Sequence, residues 1–354
     1  MPAENISLSL LSIISLISFF VFLLISKYSN KIGNGILLDQ DFNKPQSFHS
    51  LSIPRSGGLA ASLSFLIFFI FYYLLFNKVN FEYVILTFAM FSMGFIEDIK
   101  LNFKPIYRLT LMIIILLIFT IYFSIDITSI DLNFLNSWLK NDIFSIIFVL
   151  LCFLFIVNGS NLIDGFNGLL AIHILIINII LLFINLENNH ENLAIMIASQ
   201  IVILISFLLF NFPKAKIFLG DSGSYLFGSL VALNIVETNN LNPEISSFFF
   251  SILLFYLFFE VFFSFLRKLL SRKSPIKPDR HHLHMLSYLY LEHSQKFKDC
   301  NYLNSILINL TYLSLIVPAL FFKDNGAICR YWFFSLISIY IVFYYLLYSF
   351  EKKQ

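Results

Sequence analysis

The chain has 354 residues, of which 58% are hydrophobic and 12% charged, with a net charge of +2 and a mean hydropathy of +0.83. A soluble domain carries roughly a quarter charged residues, so this composition, with 45 Phe and 17 Tyr against 12 Gly, excludes a soluble globular enzyme, a disordered chain and a collagen-like fibre. The near-neutral charge argues against a nucleic-acid partner, and Cys152, Cys300 and Cys329 are too widely spaced for a disulfide or zinc framework.

Apolar runs near the ~20 residues needed to cross a bilayer predict spans at 6–26, 59–76, 81–96, 109–126, 143–158, 168–186, 193–210, 225–238, 244–266, 302–322 and 330–350. The count is eleven, or ten if the short run at 225–238 does not cross. The first run is too long for a removable signal peptide and lacks its basic start and small-residue cleavage site. Strands of an outer-membrane barrel would alternate apolar and polar residues; these runs do not, so they read as helices. The expected fold is one all-α, polytopic integral membrane domain over 1–354, with motifs over about 39–286 and C-terminal helices over 302–350.

Lys and Arg set the orientation of such a chain. With eleven spans, 27–58, 97–108, 159–167, 211–224, 267–301 and 351–354 fall on one side and hold 19 of the 23 basic residues. That side is expected to be cytoplasmic in a bacterial inner membrane, with the N-terminus outside. Any inner-membrane protein shows such a bias, so it carries no function by itself.

The polar motifs all fall on this side. In the first loop, Lys44 and His49 precede Pro54-Arg55-Ser56-Gly57-Gly58, which suits either an anion site or a turn at a helix entrance. Glu97-Asp98 ends the third span, where acids oppose the helix dipole; two neighbouring carboxylates there suit a metal site or a general base. Asn158-Gly159-Ser160-Asn161-Leu162-Ile163-Asp164-Gly165-Phe166-Asn167-Gly168 surrounds one carboxylate with glycines and amides, as a ligand site or a capped turn would. Gly220-Asp221-Ser222-Gly223-Ser224 is either a helix cap or a site where Asp221 holds a hard cation beside phosphate. Asp279-Arg280-His281-His282-Leu283-His284 lacks further zinc ligands nearby and better fits anionic phosphate oxygens. Glu260, seven residues before Arg267, either snorkels to the interface or holds the histidine loop or the acceptor groove. Carboxylates for a metal, with cations and glycines for phosphates at a lipid interface, point to phosphoryl transfer between a cytoplasmic nucleotide and a membrane-held acceptor.

In Asn161-x-x-Asp164-Gly165-x-x-Gly168, Gly220-Asp221-Ser222-Gly223-Ser224 and Pro278-Asp279-Arg280-x-His282-Leu283-His284, in that order, the chain resembles the polyprenyl-phosphate N-acetylhexosamine-1-phosphate transferases of glycosyltransferase family 4. The resemblance implies a Mg²⁺-dependent reaction, with Mn²⁺ as an alternative ion, in which undecaprenyl phosphate attacks a UDP-N-acetylhexosamine and UMP leaves. It implies Asp98 as the base with Glu97 in support, and Asp221 as the main metal ligand, aided by Asp98 and Asn161. Asn161 and Asp164 would line the nucleotide-metal site, and His282 and His284 would meet the diphosphate or sugar. Lys44, His49, Arg55, Asn167 and Arg280 would bind substrate. Glu97 stands where the family has Asp, Asn167 where Asp is common, and Met285 where a third His is frequent. The histidine segment is closer to the branch that starts O-antigen-type glycans than to the peptidoglycan branch, phospho-MurNAc-pentapeptide translocase. The implied partners are the nucleotide sugar, the polyprenyl phosphate and membrane lipid, with a homodimer left open. The donor hexosamine stays open too. A transporter or flippase is the reading from another class, but its polar residues would lie at mid-membrane; a pseudoenzyme is the third.

Overall fold

The computed structural model describes residues 3–29, 31, 35–39, 52–100, 104–272, 274 and 279–353, with side chains from Leu8 onward. Its helices are α1 (Ala3–Tyr28), α2 (Gly57–Phe76), α3 (Phe81–Asp98), α4 (Pro105–Tyr122), α5 (Asn133–Leu139), α6 (Asp142–Ile163), α7 (Leu169–Glu187), α8 (Glu191–Asn211), α9 (Gly220–Leu241), α10 (Ser247–Leu253), α11 (Phe255–Leu270), α12 (Leu283–His293), α13 (Cys300–Leu320) and α14 (Gly326–Glu351). Two-residue strands β1 (Leu38–Asp39) and β2 (Ile53–Pro54) pair antiparallel ahead of α2.

Every expected span lies on a helix, the ninth on the pair α10 and α11, bent by 73°. Among the described residues, eight helices are long and apolar enough to cross a membrane, nine if the bent pair is one span, so the chain is an all-α, multi-pass membrane protein. The expected ten or eleven is not reached on length and composition, because α3 and α9 are too polar. α3 carries Glu82, Glu97 and Asp98. Of the 22 residues of α9, 18 are buried. A helix enclosed by other helices needs small and polar residues for close packing rather than a lipid-compatible surface.

Some boundaries depart from expectation. α4 starts at Pro105, four residues ahead of the expected 109, since proline suits the first helical position. Arg108 is therefore on a helix rather than in a loop. α6 runs to Ile163, so Asn161 is helical, and Gly220–Ser224 forms the first turn of α9 rather than a loop before it.

α9 is the axis of the bundle. A buried network joins it to α3, α7 and α8: Tyr83 Oη donates to Asn234 Oδ1 (3.0 Å), Asn234 Nδ2 to Gln200 Oε1 (2.8 Å), and Asn178 Nδ2 to the same Gln200 oxygen (3.2 Å). Such interhelical bonds average about 0.6 kcal/mol each in lipid, enough to choose one rotation of a helix among several. At one end, Gly57 and Gly58 amides donate to the Phe218 and Leu219 carbonyls (2.9 and 2.8 Å), stitching the start of α2 to the approach to α9. At the other end, Ser246 N donates to Lys323 O (2.9 Å), and Arg330 Nη2 to Asp131 O (3.0 Å). The described polar motifs all gather at the first of these ends.

Close approach there depends on missing side chains. A Cβ on Gly94 of α3 would lie 2.3 Å from the Asp221 carbonyl oxygen, and one on Gly58 would lie 2.4 Å from the Gly223 amide. Backbone cannot swing away as a flexible side chain can. Gly94→Ala is therefore expected to cost about 1–3 kcal/mol by overpacking, more than the ~1 kcal/mol that alanine gains in a helix. Gly165→Ala, which meets nothing within 4 Å, should leave stability unchanged. Thermal unfolding of both variants in detergent measures this; equal midpoints would mean that α3 and α9 can separate freely.

Candidate active site

The start of α9 has no side-chain cap of its own. Asp98, at the last turn of α3, supplies one from outside. Its Oδ1 accepts from the Asp221 amide (3.0 Å), and its Oδ2 accepts from the Ser222 amide (2.9 Å) and the Ser222 hydroxyl. Gly220 makes room by adopting φ +77°, and any Cβ there would sit 2.7 Å from the Asp98 carboxylate. An acid that opposes the dipole of its own helix thus serves the positive end of another.

This cap orients Asp221. Its Oδ1 accepts from Asn161 Nδ2 (2.9 Å), which also donates to Ser224 Oγ (3.1 Å). Arg108 Nη1 lies 3.9 Å from both Asp221 Oδ2 and Glu97 Oε2. Arg55 forks onto one Asp39 oxygen (2.9 and 2.7 Å). Burial lowers the affinity of Arg55 for its proton, but Asp221, Asp39 and Asp98 raise it further. Asp164, the C-cap of α6, keeps part of its surface exposed; burial of the rest and the charge of Asp221 push it up to about 8, with Arg55 opposing. Glu97, Asp98, Asp164 and Asp221 outnumber the guanidinium groups of Arg55 and Arg108, and such an excess favours a cation.

Among the described residues no three His, Cys, Asp or Glu side chains converge as ligands for a metal ion. Mg²⁺ does not require that: it is usually held by one or two carboxylates, with waters and substrate phosphates completing six oxygens. Asp221 with the Asn161 amide fits such an ion by donor chemistry.

The histidines are held differently from the expectation that they meet the diphosphate or sugar. His282 is 1% and His284 0% exposed, so neither faces open space. Glu260 Oε1 takes His282 Nδ1 (3.0 Å) and the Leu283 amide (3.1 Å), and Glu260 Oε2 accepts from Tyr340 Oη (2.7 Å). Glu260 does not snorkel; it is buried and anchors the histidine segment. Asp279 lies 3.4 Å from His282 Nε2 and is gripped by both Arg267 Nη atoms (2.9 and 3.2 Å). Burial pushes its carboxyl up, but the Arg267 bond holds it below the usual range. His284 Nδ1 meets Tyr256 Oη (3.2 Å), and its ring packs on Phe166, tying this cluster to the Asp164 loop. Burial brings His284 down to about 4.

Of the remaining expected residues, Lys44 and His49 lie outside the described residues. Asn167 ties its loop to neighbouring segments: its Nδ2 donates to the Pro213 carbonyl (2.9 Å) and its backbone amide to Asn301 Oδ1 (2.8 Å). Arg280 is exposed beside the histidine segment. Sequence reading missed Arg108 and Tyr340. A basic residue in the first turn of an apolar helix could have flagged Arg108. Nothing distinguished Tyr340 among 17 tyrosines.

A model of glycosyl transferase family 4 matches residues 81–239, from the start of α3 into α9. The undecaprenyl-phosphate alpha-N-acetylglucosaminyl 1-phosphate transferase of Thermotoga maritima is 28% identical over 270 residues, 76% of this chain and 78% of its own. The phospho-N-acetylmuramoyl-pentapeptide-transferases of Dictyoglomus turgidum and Dictyoglomus thermophilum are each 30% identical, over 77% and 78% of this chain and 88% and 90% of their own.

Two outcomes follow. Asp98→Asn is expected to lower the thermal midpoint, since losing a cap costs about 1 kcal/mol, and to lower turnover with it. Asp164→Asn should not lower the midpoint, since it removes a carboxyl whose charge is costly there, while turnover falls about 10²–10⁴-fold, as losing a proton acceptor does. The reverse pattern, read by unfolding and turnover on the same preparations, would exchange the two roles. The second outcome is set by His284. Its value is about 4 folded and about 6.5 unfolded, so between these the unfolded chain binds more protons. The His284 contribution to stability should therefore fall as pH drops from about 6.5 to 4, by up to about 1.4 kcal/mol per pH unit, while Asp164, which holds its proton more tightly in the folded state, contributes with the opposite sign. The midpoint of His284→Gln relative to wild type should rise as pH drops across that window; a constant difference would mean that the buried ring does not contribute.

Proposed function

This chain belongs to glycosyl transferase family 4, and on that premise we propose that it transfers N-acetylhexosamine 1-phosphate from a UDP-N-acetylhexosamine to undecaprenyl phosphate, releasing UMP. It is a phosphosugar transferase by family. The reading adds the donor, the acceptor and the start of a lipid-linked surface glycan such as O-antigen. It counts α3 and α9 as spans, eleven in all, and puts the motif end at the cytoplasmic face of a bacterial inner membrane.

The observation that carries it is the convergence, at one end of the bundle, of Glu97, Asp98, Asp164 and Asp221 with Arg55, Arg108 and Asn161. Asp221 and Asn161 would hold Mg²⁺, or Mn²⁺ in its place, which when bound neutralises charge on the diphosphate. Arg108 lies close enough to Asp221 to pair with a phosphate oxygen brought there, and Arg55 adds positive potential behind it. Asp98 has both oxygens engaged by α9 and works by fixing Asp221. Asp164, exposed in part and raised to about 8, takes a proton from the incoming lipid phosphate in its place. The lipid oxygen then attacks the sugar-linked phosphorus: one P–O bond forms, the bond to UMP breaks, and UMP carries off the electron pair.

A second reading is phospho-MurNAc-pentapeptide transfer, favoured by the 30% identity to a relative of that name over 88% of its length. The form of the histidine segment favours the first. Sealed inverted vesicles with undecaprenyl phosphate and Mg²⁺ should release UMP from UDP-GlcNAc or UDP-GalNAc, and right-side-out vesicles should not. Release from UDP-MurNAc-pentapeptide alone would move the assignment to the second reading. Donor uptake without UMP would overturn both in favour of transport, and release only from right-side-out vesicles would invert the orientation.

A further inference from the structure

A cavity of about 370 Å³ opens at the end of the bundle away from the motifs. Asp131, Asn133, Asn136, Asn239, Ser247 and Arg330 are among its walls. A second cavity, of about 200 Å³, adjoins it and shares Ile130, Asn239 and Ser247. Apart from Ser251, its other walls are apolar; Leu135, Phe148, Cys152, Ile235 and Leu254 among them come from α5, α6, α9 and the α10–α11 bend. A polar chamber that continues into an apolar channel between helices matches a molecule with a polar head and a hydrocarbon tail.

The chamber has charges of both signs. The Arg330 guanidinium lies over Phe248 at 5.4 Å and donates to the Asp131 carbonyl, not to its carboxylate. Its buried Nε finds no partner among the described residues. The Asp131 carboxylate accepts from Ser246 Oγ, and no ion pair joins it to Arg330 among the described residues. A buried donor without a partner costs free energy unless a ligand or water meets it. The depth is also that of lipid headgroups. Both tryptophans of the chain, Trp138 and Trp332, lie at this end, and Trp138 is 55% exposed beside Phe134 at 58%. Tyr122, Phe321 and Tyr331 are likewise exposed here. Aromatic residues gather in this way at the membrane–water interface.

We propose that this head-and-tail cavity binds a zwitterionic phospholipid, its phosphate on Arg330, its primary ammonium on Asp131 and an acyl chain in the Cys152 channel. An anionic phospholipid would satisfy Arg330 but meet Asp131 with like charge. A choline headgroup brings no N–H to the carboxylate. This lipid is not the acceptor of the transfer. Arg330 and Tyr348 are 18 residues apart on α14, about 27 Å at 1.5 Å per residue, and Tyr348 touches His281 at the motif end. The proposal does not rest on the donor or acceptor assigned above.

The test is native mass spectrometry of the whole chain, extracted in mild detergent from vesicles of equal phosphatidylethanolamine, phosphatidylglycerol and phosphatidylcholine. One phosphatidylethanolamine should be retained per chain, preferred at least about tenfold. Arg330→Gln should lower retention of every phospholipid by at least about tenfold, and Asp131→Asn should erase the preference over phosphatidylglycerol. Leu135→Trp, which fills the channel and leaves the Arg330 contacts alone, should give the same loss as Arg330→Gln. Transferase turnover near wild type in each variant shows that the bundle is intact. Equal retention in active Arg330→Gln, no preference among headgroups in wild type, or binding of soluble O-phosphoethanolamine as tight as that of the lipid would overturn the proposal.

Discussion

Asp98 sets a carboxylate against the first amides of α9, and the positions of Asp221, Asn161 and Arg108 follow from that contact. A helix start inside a protein leaves amides that must find acceptors, and α9 begins with Gly-Asp-Ser, none of which caps it. The acceptor comes from α3, which forces the two helices together at this level. That approach is possible only because Gly94 and Gly220 leave no Cβ in the way, and Gly58 does the same where α2 meets α9. Gly94 and Gly220 are therefore the clearance that lets one acid reach one helix start.

The electrostatic character of the site grows from the same crowding. Four carboxylates gathered at a partly buried helix end repel one another, and burial adds to the cost of their charge. Asp164 shows the result in its raised proton affinity. Arg55 and Arg108 relieve part of the repulsion. A site left with surplus negative charge is poised to take in a cation together with the anionic phosphates that the cation screens.

Much of this was legible in the sequence, because the chemistry was written in short polar motifs against an apolar background. Asn161, Asp164 and Asp221 stood out since lipid-facing helices have no use for them. Apolar runs located the helices even where a helix is too polar to pass as a span by hydropathy, as in α9, which is enclosed by its neighbours. The role of Asp98 was not legible. Two acids at a helix end looked misplaced, and only the tertiary contact shows which helix they serve. The burial of the histidines was hidden for a related reason: Glu260 meets His282 from 22 residues upstream and is itself met by Tyr340 from 80 residues downstream, distances at which local pattern has no reach. The long-range ties of Asn167 to Pro213 and Asn301 were equally out of reach of its local motif.

The Tyr340–Glu260–His282 contact also has a meaning in time. A chain that enters the membrane from its N-terminus completes α11 and the histidine segment well before α14 exists. Through that interval one oxygen of Glu260 waits without the hydroxyl that later meets it, in surroundings where an unmet acid is costly. The arrival of α14 ends the wait and closes the arm that carries His282. The assembled histidine segment is thus the last part of the motif end to be finished during synthesis, although its residues are made long before the helix that locks them.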